Sequence, residues 1–89
     1  MLIPTDAQAI QDDALAHGRW LIWFVTATDL EHPGRLTARA HVADHHGGTI
    51  LPGVLVANTL DELRAMLPAG LTRHERTSMM PPDVIEIWD

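Results

Sequence analysis

His41, Asp44, His45 and His46 gather three imidazoles and a carboxylate within six residues of a turn. Neutral imidazoles with a carboxylate can ligate Zn²⁺ or Ni²⁺, so this cluster reads as a metal site, for metal binding or metal-dependent catalysis. The spacing also supports another reading. His41 and His45 lie four apart, which converges on a helix but spreads along a strand, and His45 and His46 diverge if extended, leaving solvated turn histidines. His32 and His74 complete a site only if folding brings them near. A second group is Arg73, His74, Arg76, Met79 and Met80. Arg and Met are favoured at interface centres and Met adapts to irregular surfaces, so these five read as a partner-binding patch. Alternatively, Arg64 and Arg73 pair with surface carboxylates while Met79 or Met80 plugs the core. Catalytic constellations are poor. Ser78 is the only serine and has no Gly-x-Ser-x-Gly context. Asp29, Asp44 and Glu86 make a nuclease-like set only if they converge on metal, and Glu86 between Ile85 and Ile87 reads more simply as the wet position of an edge strand. Gly47 and Gly48 belong to a hairpin turn and not to a phosphate loop. Arg39 and His41, on the wet face of a strand, read as an anion contact or as solvated ladder residues.

Composition narrows the classes. Eighty-nine residues with 46% apolar and 20% charged content suit one soluble globular domain with a single modest core. There is no cysteine, hence no disulfide framework, thiolate site or cysteine nucleophile. A net charge of −6 argues against nucleic acid as a partner, because phosphates are met by a basic face. The charge is uneven: the segment 64–76 is net positive, with Arg64, Arg73 and Arg76 against Glu75, and the rest of the chain carries the negative balance. The longest apolar run, Trp20 to Val25, is too short to span a membrane, and MLIPTDAQ lacks a basic leader, so a cytoplasmic protein is expected.

The clearest local signals lie in LPGVLVANTLDELRAMLP, residues 51–68. Val54, Leu55 and Val56 form a short buried strand bounded by Gly53 and Asn58. Thr59 with Glu62 is a capping box, Asp61 and Glu62 suit the positive end of a helix dipole, and Leu60, Leu63, Met66 and Leu67 fall on one face. A helix over 60–67 follows, stopped by Pro68 and Gly70 and too short to stand without a sheet. Thr5 with Gln8 suggests another capping box and a peripheral helix over 6–17, on a thin stripe of Ala7, Ile10, Ala14 and His17. RWLIWFVTA, residues 19–27, is apolar on both faces and must be covered on both. One cover is the Leu60 helix; the other is the N-terminal helix or a second copy of the chain, which predicts a homodimer.

DLEHPG provides a type II turn, and Leu36, Ala38, Ala40 and Val42 alternate with Arg35, Thr37, Arg39 and His41, so an antiparallel hairpin is expected. The second turn leads through Thr49, Ile50 and Leu51 to the third strand, kinked at Pro52 and Gly53. Residues 68–83 show no period and read as a long loop, and Val84 to Trp88 closes the chain as a strand. The prediction is a single α+β domain over 1–89, in the order α-β-β-β-α-β, with a mixed sheet of about four strands and helices packed on it. A right-handed crossover would link the strands flanking the central helix if both share a sheet.

HPGRLTARAHV, VLVANTLDELRAMLPAGLTR and VIEIWD together resemble a family of small uncharacterised bacterial proteins with a PG turn, a TLDELRAMLP helix and a C-terminal VIEIW strand. That resemblance covers residues 33–89 and carries no activity with it. Three strands followed by VANTLDEL, with Asn58, Thr59, Leu60, Asp61, Glu62 and Leu63, are similar to the HicB-type antitoxin domain, a partial RNase H-like fold. That resemblance implies a protein-binding, toxin-neutralising role. From residues and resemblances together the expected function is a small non-enzymatic protein-binding or regulatory module with no resident cofactor. The alternatives are a metal-binding protein or metal-dependent enzyme using Zn or Ni at His41–His46, and a HicB-like toxin neutraliser.

Overall fold

Trp20–Thr26 forms the central strand, β1, because a run that is apolar on both faces gains most where neighbours lie on both edges. The structure is a computed structural model that describes residues 2–43, 48–78 and 80–89. Among these residues the order is α1 (Pro4–Ala16), β1, β2 (Leu36–Ala43), β3 (Thr49–Ile50), β4 (Leu55–Ala57), α2 (Leu60–Met66), β5 (Arg73–Glu75) and β6 (Val84–Trp88). The strands make one sheet in the order β3-β2-β1-β6-β5, with β4 also paired to β2. Every pairing is antiparallel.

The α+β class and the β1–β2 hairpin are as the residue pattern indicated, but the sheet is antiparallel and six-stranded instead of mixed and four-stranded. Two strands were hidden. Pro52 and Gly53, the latter at φ +95°, break one predicted strand into β3 and β4, which line the same edge of β2 at its two ends. β5 lies inside the stretch that reads as a loop. It is an exposed edge strand, which needs no apolar alternation and so leaves no period to detect. β4 and β5 flank α2 and run in the same direction in the sheet, whereas β6, the strand expected to follow the helix, runs opposite to β4, so no parallel crossover links those two.

The local chemistry of α2 is as expected. Thr59 Oγ1 accepts from the Glu62 N–H at 3.2 Å, while the Glu62 carboxylate reaches the Asn58 N–H at 3.3 Å, one residue earlier than a capping box requires. α1 starts earlier than Thr5: Pro4 occupies its first turn, Ile3 is the cap residue, and no side chain caps it. Gln8 instead donates to Asp12 and accepts from the Ala69 N–H at 2.8 Å, tying α1 to the end of α2. The type II turn forms at Pro33-Gly34, where Gly34 takes φ +75° and the Arg35 N–H bonds His32 O.

Both helices cover the same side of the sheet. Ala7 and Ala14 of α1 and Leu63 of α2 pack with Leu21, Trp23 and Val25 of β1, Ala38 and Ala40 of β2, and Leu55 and Ala57 of β4. Small residues on α1 let its backbone approach closely, and Gln11 at its centre accepts a bond from the buried Trp23 indole at 2.9 Å. α1 is therefore docked along Ala7, Gln11 and Ala14, with Ile10 of the expected stripe partly buried against the same core, while His17 is exposed. The side chains of β1 that alternate with the core set, Trp20, Ile22, Phe24 and Thr26, face the other way. Trp20 is 58% exposed and Ile50 60% exposed on that face.

Candidate functional site

The face opposite the helices carries a groove of about 660 Å³ between the β1–β2 and β5–β6 loops. The β-ladder registers opposite Phe24 and Ile22 bring Arg39 and His41 of β2 onto its floor, and Thr26, Asp83 and Val84 close its far end. The Arg39 guanidinium bonds Asp29 Oδ2 at 2.7 Å, and Glu31 lies 3.8 Å away. That bond, with the Glu31 N–H donating to Asp29 Oδ1 at 2.9 Å, holds the Asp29 carboxyl below the usual aspartate range. His41 stacks on Phe24 with ring centroids 4.3 Å apart and planes at 59°. Burial, and then the neighbouring Arg39 charge, push the His41 imidazole down from its ordinary value, so it is neutral at pH 7.

His41 is accordingly expected to titrate below 6.5 in an NMR pH series, and Arg39→Met to move its midpoint upward. An unchanged midpoint would remove Arg39 as a cause. Because the folded value is depressed, the linked stability is complete above about 6.5 and falls as pH drops from there towards the folded midpoint.

Asp44, His45, His46 and Met79 lie outside the described residues, so the predicted metal cluster is represented by His41 alone. Among the described residues no group of three or more His, Asp or Glu is placed to hold a metal ion. His74 is directed to Asp89 instead, and His32 sits in the β1–β2 turn. Asp29 and Glu86 do not converge. Glu86 is not the wet position of an edge strand: β6 lies between β1 and β5, and Glu86 opposes Val25 on the helix side, 3% exposed. There Arg64 of α2 grips it in bidentate fashion, at 3.1 and 2.7 Å, and the Trp88 indole donates to Oε1 at 2.8 Å. These donors keep the Glu86 carboxyl below its ordinary range, Arg64 foremost. The pairing of Arg64 with a buried rather than a surface carboxylate was not visible in the sequence. The only available sign was a glutamate in an otherwise apolar closing strand.

The five residues read as a partner patch fall in different situations. Arg73 and His74 are on β5, whose three residues are all exposed. Arg76 braces the following loop by donating to Val84 O at 3.0 Å and Pro81 O at 3.4 Å. Met80 is half-buried, its sulfur accepting from the Thr77 N–H at 3.4 Å. The ladder fixes how β5 presents its backbone. Thr72 and Asp89 exchange both N–H···O bonds, so by alternation His74 bonds to Ile87 while Arg73 and Glu75 turn their N–H and C=O groups away from β6, to the rim of the sheet.

No described helix is long and apolar enough to cross a membrane. Comparison of the chain with protein-family models, curated proteins and solved structures finds no match, so geometry and chemistry carry the functional reading that follows.

Proposed function

We propose that this chain is a non-enzymatic protein-binding module that takes an extended segment of a partner protein as an additional strand beside β5. The observation that carries the reading is the rim itself, where the outward backbone groups of Arg73 and Glu75 are a template for another strand. Arg73 and Glu75 share one face of β5, so an antiparallel partner segment with an acidic residue opposite Arg73 and a basic one opposite Glu75 would be preferred. Three residues of strand bearing charge also limit indiscriminate edge pairing, which favours a partner supplying side-chain complementarity besides backbone bonds. Arg76 steadies the loop beyond the edge through Val84 O and Pro81 O.

Arg73→Pro tests this. It deletes one outward N–H and leaves the β5–β6 ladder intact, since proline is tolerated where the strand N–H faces solvent. Immobilised wild-type chain is expected to retain a cellular protein that Arg73→Pro loses and Leu30→Ser, a change at a 96% exposed side chain, keeps. Far-UV circular dichroism should be the same for all three. Equal capture by wild type and Arg73→Pro, or capture by neither, counts against the edge.

A further inference from the structure

We infer that the sheet face opposite the two helices is where two copies of this chain meet. The inference goes beyond the β5 reading and stands without it. β1 is apolar on both sides, and both helices spend their apolar stripes on the Leu21, Trp23 and Val25 side. On the other side Trp20, Ile22 and Phe24 of β1 lie beside Ile87 of β6, with bulged Ile85 at the margin, and exposed Ile50 of β3 stands across His41 of β2 from Ile22. A contiguous apolar set of this kind, centred on aromatic and branched side chains, is the composition of an interface core.

Area and charge both select a second copy as the occupant. Seven-residue β1 and the five-strand width of the sheet give a face of roughly 500 Å² in projection. With side-chain relief and the rim loops this approaches the ~800 Å² that each partner contributes to a standard interface. At the middle of the face the Arg39 charge is already paired within the chain, by Asp29 and Glu31, and His41 lies against the Phe24 ring. A face whose charges are paired internally can be covered by an identical face without stranding an ion, whereas a partner recognised by charge would find no uncompensated group among these to pair with. Two-fold symmetry then sets the same patch against itself.

Sedimentation equilibrium of the full chain is the test. Wild type at micromolar concentration is expected to weigh twice 9.8 kDa, and the Trp20→Glu, Ile50→Glu double variant 9.8 kDa, with its dimer dissociation constant raised at least about a hundredfold. Both side chains are exposed in the single chain, so far-UV circular dichroism should not change. Dilution of wild type supplies a readout free of mutation: the methyl resonances of Ile22, Ile50 and Ile87 should shift as dimer gives way to monomer, while those of Leu55 and Leu63 in the core stay fixed. A monomeric wild type overturns the inference. So does a dimer that survives the double variant, and a dimer abolished by Arg73→Pro alone would place the contact at the β5 edge instead. None of these outcomes depends on whether a partner protein is captured.

Discussion

Trp23→Ala is expected to leave the chain largely unfolded at 25 °C. Trp23 is fully buried in the central strand, between the two helices and the sheet. Truncating a buried tryptophan costs about 3–5 kcal/mol in lost transfer energy and cavity. It also strips Gln11 of the indole donor, leaving a buried amide oxygen without its bond, at about 1–3 kcal/mol more. A domain of this size has roughly 5–10 kcal/mol in total, so the loss takes most of it. Urea unfolding followed by far-UV circular dichroism should show a midpoint near zero denaturant. Trp23→Phe separates the two contributions, because it keeps most of the ring volume and removes only the donor. Trp20→Ala on the same strand, pointing to the other face, should change the stability of the single chain by no more than about 0.5 kcal/mol. A Trp23→Ala variant with a midpoint close to wild type would mean that α1 is not docked on this residue.

The second large effect is at the ion pair beneath α2. In the wild type the Glu86 carboxyl lies below its ordinary 4.5 because Arg64 hydrogen-bonds it, so the pair's contribution is complete above about 4.5 and is lost as pH falls through the folded value. Arg64→Met reverses the sign. The carboxylate then sits buried with only the Trp88 indole as donor, and burial pushes its pKa above the unfolded value. The variant is then penalised most at high pH, where Glu86 must ionise without its cation. The stability difference between wild type and variant should therefore widen as pH rises from 4.5 to 7, with Tm lower by at least about 10 °C at pH 7. The comparison cancels the background from His41 and Asp29, which titrate in both proteins. Replacing both partners, as in Arg64→Met with Glu86→Leu, should restore much of the loss, since an apolar pair strands no charge. A difference that stays flat with pH would show that Glu86 does not depend on Arg64.

Two surfaces follow from one structural circumstance, the placement of both helices on the same side of an antiparallel sheet. It leaves the opposite face for the second copy we infer and the β5 rim for the added strand we propose. The β1 pattern already required two covers, and the sequence offered the N-terminal helix and a second chain as candidates for the outer one. Docking of α1 through Ala7, Gln11 and Ala14 beside α2 removes the helix from that choice.

What the residues alone determined was local. The Thr59–Glu62 start of α2, its Leu63 face, the Pro33-Gly34 turn and the alternation of β2 all depend on neighbours within about four positions, and all of them form. The site was less legible, because its members come together only across the sheet. Arg39 and His41 read from sequence as an anion contact or as solvated ladder residues, but Arg39 is bound by Asp29 of the β1–β2 turn and His41 stacks on Phe24 across the hairpin. Tertiary structure alone decided the strand order, the division of one predicted strand into β3 and β4, and the existence of β5. It also decided that Glu86 faces the helices rather than water. Each of these turns on which elements become neighbours after distant parts of the chain meet, and the free energy that selects among such neighbours is shared by residues far apart in sequence. Short-range spacing has no access to it.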